Sequence, residues 1–158
     1  MEGNGTMRRK HKRAIIIVGI VILIFALYNL IWYTIIWNKY GEFVQDMKEL
    51  YYHRTYVIDE LDGFTYNVKI PGYLSYTGNL GIQASQNSDC ALIIWPGIFK
   101  ENEYGVFLED ENGRRHAVEL TAEREAKPDA PEEVKQLVES YRDKIDDLFE
   151  RAEQQWDY

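Results

Sequence analysis

Cysteine is nearly absent from this 158-residue sequence, which contains only Cys90 and therefore cannot form an internal disulfide bond. A domain without disulfides must be stabilised by its own hydrophobic core. The sequence also lacks any residue pattern typical of a catalytic centre, a metal site or a cofactor site. We therefore expect a protein that is not an enzyme and that carries no cofactor and no metal.

Charged residues are absent from residues 14–37. As a helix, this segment would be about 36 Å long, enough to cross a hydrocarbon core of about 30 Å. A cleaved signal peptide would have a shorter apolar core with small residues after it, whereas this segment ends in aromatic and β-branched residues. The pattern predicts an uncleaved transmembrane signal anchor, with a buried helix of a soluble protein as the alternative.

The charges on the two sides of this segment predict its orientation, because basic flanks remain in the cytoplasm. Five basic residues precede it, namely Arg8, Arg9, Lys10, Lys12 and Arg13. Trp32 and Trp37 lie near its other end, where amphipathic rings sit at the level of the lipid headgroups. We predict a disordered, basic cytoplasmic tail over residues 1–13 and a single-pass membrane protein whose remaining residues are extracytoplasmic.

The predicted extracytoplasmic part is strongly acidic. Residues 38–158 contain 13 Lys/Arg and 25 Asp/Glu, a net charge of −12. Such a domain is repelled by nucleic acid, so no nucleic-acid partner is expected. The expected partners are the lipid bilayer, through the anchor, and another envelope or membrane protein.

Periodicity changes after the apolar segment. Apolar residues at three- and four-residue spacing predict a juxtamembrane stalk helix over residues 38–54. β-branched and aromatic residues then alternate with polar ones, with turn residues such as Asp62-Gly63 and Pro71-Gly72 between the segments. Strands are predicted over residues 55–59, 64–70, 80–85 and 91–95, and the last lies centrally because it has no polar face.

A hairpin is predicted at Asn112-Gly113, since this dipeptide supplies the positive φ angles of a two-residue type I′ turn. In that register Asp110 faces Arg115 and Phe107 faces Val118. The predicted fold class is α+β: an antiparallel sheet of about five or six strands over residues 55–125, with a C-terminal amphipathic helix packed on it.

Residues 126–158 are predicted to form a linker and then a helix that reaches about Trp156. Apolar residues at alternating four- and three-residue spacing are typical of a coiled-coil seam, but Leu137 and Phe149 widen the apolar stripe. Basic residues flank the seam, so a symmetric pair would bring like charges together and a homo-oligomer is not supported. The helix is expected to pack on its own sheet, with docking against a partner helix as the alternative.

Aromatic residues are frequent around the glycine-containing loops at 72–81 and 96–105, where they either fill the core or form an exposed platform for a glycan or peptide. The candidate interaction surface combines them with residues of the C-terminal helix: Tyr73, Tyr76, Phe99, Tyr104, Leu137, Arg142 and Phe149.

Two chemical alternatives are weak. Cys90 and His116 offer a nucleophile and a base, but Cys90 precedes an apolar strand, where a small core residue is expected. The acidic clusters at 59–63 and 109–113 do not fit the calcium-loop pattern.

From the anchor, the compact domain and the lack of catalytic residues, we expect a membrane-anchored interaction module that is a subunit or accessory factor of an envelope assembly. The alternative is a ligand-binding or sensory domain for a cell-wall or extracellular molecule.

Overall fold

The computed structural model describes residues 3–50, 54–86 and 89–158. The chain divides into two compact units, Met1–Trp37 and Asn38–Tyr158. The predicted stalk segment includes residues 51–53, which lie outside the described residues.

The described residues of the first unit lie in helix α1 (Gly3–Tyr40). Its part His11–Tyr40 is long and apolar enough to cross a membrane. The polar side chains of Asn29 and Thr34 donate hydrogen bonds to backbone carbonyls one turn earlier, at 2.7 and 2.8 Å, which satisfies them within the helix. The prediction of a disordered tail is wrong from Gly3 onward, because residues 6–13 contain no helix breaker and continue the hydrogen-bond ladder.

The second unit is built on a seven-stranded antiparallel sheet in which every strand pairs with the next one along the chain. The strands are β1 (Lys48–Leu50), β2 (Thr55–Leu61), β3 (Phe64–Lys69), β4 (Asn79–Ala84), β5 (Cys90–Trp95), β6 (Glu103–Glu109) and β7 (Arg115–Leu120). The α+β class and the four predicted strands are confirmed. The predicted strand count of five or six is wrong, partly because β1 forms within the predicted stalk.

The prediction of a stalk helix over residues 38–54 is wrong beyond Tyr40, where α1 ends. A short 3₁₀ helix (Glu42–Val44) follows, and then β1 begins. Phe43 and Val44 are buried in the second unit, and the Nε1–H of Trp156 donates a hydrogen bond to the Phe43 carbonyl at 3.3 Å. The apolar spacing in this segment therefore reflects burial in the domain rather than a continued helix.

Two C-terminal helices, α2 (Glu132–Ser140) and α3 (Arg142–Gln155), follow the sheet, and α3 packs on β4 and β5. Packing of the C-terminal helix on its own sheet is thus confirmed. The predicted single helix is interrupted at Tyr141 (φ −103°, ψ 7°). The Ser140 hydroxyl donates to the Leu137 carbonyl at 2.7 Å, and the Tyr141 hydroxyl donates to the Glu109 carbonyl at 2.8 Å. The first contact competes with regular helical hydrogen bonding, and the second ties the side chain at the interruption to the end of β6.

The core lies between α3 and one face of the sheet. Side chains of this face alternate with those of the other face along each strand, as the pleat requires. The fully buried members from the sheet are Val68, Leu80, Ile82, Leu92, Ile94 and Leu108, and those from the helices are Val138, Ile145 and Ala152.

The register of β6 and β7 differs by one residue from the predicted register. Phe107 pairs with Ala117 rather than with Val118. Because side chains alternate between faces, a one-residue shift moves a side chain to the other face. Phe107 consequently lies on the face opposite α3 and is 41% exposed.

The shift arises from the turn, which has three residues rather than two. Gly113 alone among the turn residues has a positive φ, at 74°, so Asn112 does not take the type I′ conformation. The Asp110 carboxylate accepts hydrogen bonds from the backbone N–H groups of Asn112 and Arg114, each at 2.9 Å. This capping closes the longer turn.

Candidate interaction surface

The sheet face opposite α3, which we call the open face, is half exposed along β3 to β7. Its central cross-strand row is Asn67, Gly81, Ile93, Gly105 and Glu119. The neighbouring row is Thr65, Gln83, Ala91, Phe107 and Ala117. Small and amide side chains therefore surround two accessible apolar ones, Ile93 and Phe107.

Two glycines shape the open face. A Cβ atom at Gly105 would lie 3.0 Å from Cζ3 of Trp95, and a Cβ atom at Gly81 would lie 2.6 Å from Nδ2 of Asn67. The indole and the amide thus pack directly over the glycine backbones. A larger residue at either position would displace these side chains, so the glycines allow the flat surface around Ile93.

Two shallow clefts lie on the open face. One, of about 260 Å³, is lined by Asn79, Gln83 and Phe107 among others. The other, of about 370 Å³, is lined by Trp95, Glu103 and Lys127 among others. Each cleft combines an aromatic side chain with hydrogen-bonding groups, which is typical of binding surfaces.

Two ion pairs lie at the margins of the open face. The Lys127 ammonium donates to the Glu119 carboxylate at 2.5 Å, and Arg115 lies 3.9 Å from Glu109. The side chains between these margins, from Ile93 to Ala117, carry no charge. An uncharged centre with a charged rim is the usual anatomy of a protein interface.

A second exposed surface, which we call the aromatic tip, is formed by the β3–β4 and β5–β6 loops at one end of the sheet. The rings of Tyr76 and Phe99 meet edge to face, with centroids 5.5 Å apart. Tyr73, Leu74 and Phe99 are the three most exposed large hydrophobic residues in the described part of the second unit, at 54%, 51% and 75%. The structure thus brings two of the predicted surface residues, Tyr76 and Phe99, into contact and places a third, Tyr73, in the same loop as Tyr76.

The other predicted surface residues lie elsewhere. Phe149 is buried against the sheet, and its ring lies 5.4 Å from that of half-buried Tyr104, so both belong to the core. Leu137 is half-buried on α2. Arg142 donates hydrogen bonds to the Arg124 carbonyl at 3.1 Å and to Glu139 at 3.0 Å, and so ties the loop after β7 to the helices.

The residues predicted for membrane anchoring all lie in α1. Arg8, Arg9, Lys10, Lys12 and Arg13 belong to its N-terminal part, and Trp32 and Trp37 to its C-terminal part. The Trp37 ring stacks on the Tyr33 ring, with centroids 6.1 Å apart.

Cys90 and His116 do not form a dyad. Cys90 pairs with Leu108, which in turn pairs with His116, so their backbones lie about 10 Å apart across the sheet. The His116 ring instead contacts the Asp110 carboxylate, with Nε2 and Oδ2 3.1 Å apart. Burial, together with the neighbouring Asp89 carboxylate, raises the pKa of the Cys90 thiol to about 12.

The acidic clusters occupy turns. Asp62, with φ 51°, and Gly63, with φ 81°, connect β2 to β3, and the Asp110 carboxylate closes the β6–β7 turn. In the part of the chain that the structure describes, no group of three or more His, Cys, Asp or Glu side chains is arranged to hold a metal ion.

Sequence reasoning missed the open face. Strand alternation places Ile93 and Trp95 on the face opposite Leu92 and Ile94, but a strand with no polar side chain reads as buried on both faces. The predicted hairpin register was wrong by one residue and therefore did not place Phe107 on this face.

Comparison of the chain with protein-family models, with curated proteins and with solved structures finds no match.

Proposed function

We propose that this chain is a membrane-anchored extracytoplasmic interaction module that binds a second membrane or envelope protein through the open face. The observation that supports this most strongly is the uncharged centre of that face, where Ile93 and Phe107 are accessible and α3 packs on the opposite side. Burying such a surface against a partner gains free energy at about 25 cal/mol per Å² of apolar area.

The anchoring part of the proposal is supported by α1. Its apolar side chains from Ile15 to Leu23 are 51–70% exposed, which is unfavourable in water and favourable in lipid. Five basic residues lie just before the apolar segment, whereas Lys39 and Lys48 are the only ones within about 15 residues after it, and this difference supports a cytoplasmic N-terminus.

The open face is tested by a charge substitution with a matched control. Phe107→Asp places a carboxylate in the proposed interface, whereas Leu61→Asp alters an equally exposed residue, 40% against 41%, at the end of β2. Each full-length variant is purified from its own cells with its bound proteins, and thermal melts verify folding. We expect Phe107→Asp to lose a membrane protein that the wild type and Leu61→Asp retain. Equal retention by both variants would contradict the assignment of the open face.

The second candidate function is recognition of a small extracellular or cell-wall molecule. It is favoured by the cleft of about 370 Å³ beside Trp95, where an indole lies next to the carboxylate of Glu103 and the ammonium of Lys127. Cell-wall fragments that change the fluorescence of the wild type, but not of Trp95→Phe, would favour this function over the first.

A further inference from the structure

The aromatic tip lies at the end of the sheet from which the domain is tethered. The Gly78 backbone N–H, in the β3–β4 loop, donates a hydrogen bond to the Tyr40 hydroxyl at 3.1 Å. Tyr40 is fully buried, and a Cβ atom at Gly78 would lie 2.8 Å from its ring. The first residues of the second unit are therefore fixed to the same loop that carries Tyr73 and Leu74.

The length of chain between the apolar segment and this attachment is short. Trp37 is the last residue of the apolar segment, and Tyr40 follows three positions later. Three residues span at most about 11 Å even when fully extended. Whatever the orientation of the domain, covalent connectivity keeps the Tyr40 attachment close to the point where the chain leaves the bilayer.

The opposite end of the sheet is distant from this point. It carries the β2–β3 and β6–β7 turns, and six-residue strands separate it from the aromatic tip by about 20 Å. Asn112, in the β6–β7 turn, is exposed there and provides a reference position.

The composition of the aromatic tip suits a lipid interface. Although residues 38–158 contain 25 acidic residues, segments 70–80 and 90–99 contain none. The charged residues that follow Phe99 are Lys100, Glu101 and Glu103, and Lys100 is paired with Glu103. Tyrosine and phenylalanine favour the boundary between headgroups and acyl chains.

The backbone presents the apolar side chains outward. Ser75 N–H donates to the Gly72 carbonyl at 2.9 Å, which closes a tight turn with Tyr73 and Leu74 at its corners. Leu74 has φ 62°, a left-handed conformation usually occupied by glycine or asparagine. A leucine with a left-handed backbone and a half-exposed side chain recovers no free energy from burial while it faces water. Transfer of that side chain into lipid would provide it.

We propose that the aromatic tip, through Tyr73, Leu74 and Phe99, inserts into the surface of the membrane in which the chain is anchored. This inference depends on the proposed membrane anchoring.

The test uses the full-length chain in nanodiscs of phosphatidylcholine and phosphatidylglycerol. Cys90→Ala removes the native thiol, and a nitroxide is attached at Phe99→Cys or, as the control, at Asn112→Cys. Power saturation then compares collisions with lipid-soluble oxygen and with a water-soluble nickel chelate. We expect oxygen to dominate at position 99 and nickel at position 112. Nickel dominance at both positions would overturn the proposal.

Two further measurements separate the possible causes of failure. Circular dichroism melts of both labelled chains verify that they fold as the wild type does. Flotation of the wild type with vesicles after carbonate extraction tests anchoring by itself. A chain that does not float contradicts the proposed anchor, whereas a chain that floats with an aqueous signal at position 99 contradicts the aromatic-tip proposal alone.

Discussion

Asp110 illustrates how one side chain determines local geometry. Its carboxylate accepts hydrogen bonds from the backbone of Asn112 and Arg114 and lies 3.0 Å from the Arg114 guanidinium and 3.1 Å from His116. The backbone N–H of Arg114, more than any other group, holds the pKa of Asp110 well below its usual range. The ionised form is therefore the one that the folded hairpin stabilises.

Substitution of Asp110 by alanine is expected to lower Tm in a pH-dependent way. Because the folded pKa lies below the unfolded value, the stabilisation is present above a pH of about 4 and is lost as pH falls through the folded pKa. The Tm difference between wild type and Asp110→Ala should shrink between pH 6 and pH 3. Asp59→Ala, an exposed carboxylate on β2, is the control, and an equal pH trend in both variants would argue against the capping role.

Cys90 is expected to be unreactive in the folded protein. It is 4% exposed and burial raises its pKa to about 12, so the thiol is almost entirely protonated at pH 8. Alkylation should be slow in buffer and fast in denaturant, as measured by mass spectrometry. Rapid labelling of the folded chain would reopen a nucleophilic role for this residue.

At the scale of elements, α3 stabilises the domain by packing on the sheet and by holding the loop after β7. Ile145 of α3 is fully buried against the sheet, and Arg124, in the loop after β7, contacts Asp146 at 3.3 Å and Glu153 at 2.9 Å while lying over the Phe149 ring. The helix contributes hydrophobic burial, and Arg124 fastens the preceding loop to it.

Ile145→Ala removes buried volume from the core between α3 and the sheet. The expected loss is about 2–5 kcal/mol of unfolding free energy, measured by urea denaturation. Gln154→Ala, an exposed position on the same helix, should change it by less than about 0.5 kcal/mol. Similar small losses in both variants would mean that α3 does not complete the core.

Gly113→Ala tests the hairpin turn. With φ at 74°, an alanine there should cost about 1–2 kcal/mol in stability. Gly72→Ala is a matched control, because Gly72 has no positive φ and a Cβ atom there would meet nothing within 4 Å. Equal effects of the two substitutions on urea unfolding would show that φ at Gly113 is not the source of the cost.

The sequence patterns predicted the individual strands better than the pairing of one strand with the next. The alternation around Tyr66 and Val68 identified β3 and its buried face, since local residues determine it. The register at Phe107 failed because the Asp110 carboxylate, rather than the Asn112-Gly113 dipeptide, determined the turn length. The aromatic tip was partly predictable from Tyr73 and Phe99, whereas the open face depends on cross-strand pairing over five strands that no local pattern contains.

At the scale of the whole molecule, the chain combines a helix that is apolar enough to span a membrane with an acidic domain of seven strands. Buried Tyr40 follows Trp37 by three positions, which span at most about 11 Å. If α1 anchors the chain as proposed, this short tether favours association with another protein of the same membrane over capture of a distant soluble one.

Site-specific photo-cross-linking in the cells that make the protein tests the proposed interaction most directly. A photoreactive phenylalanine analogue is placed at Phe107 on the open face or at Leu61, which is equally exposed, and the adducts are identified by mass spectrometry. We predict a defined adduct with one membrane protein from position 107 and none from position 61. No adduct from position 107, or the same adducts from both positions, would contradict an interface on the open face.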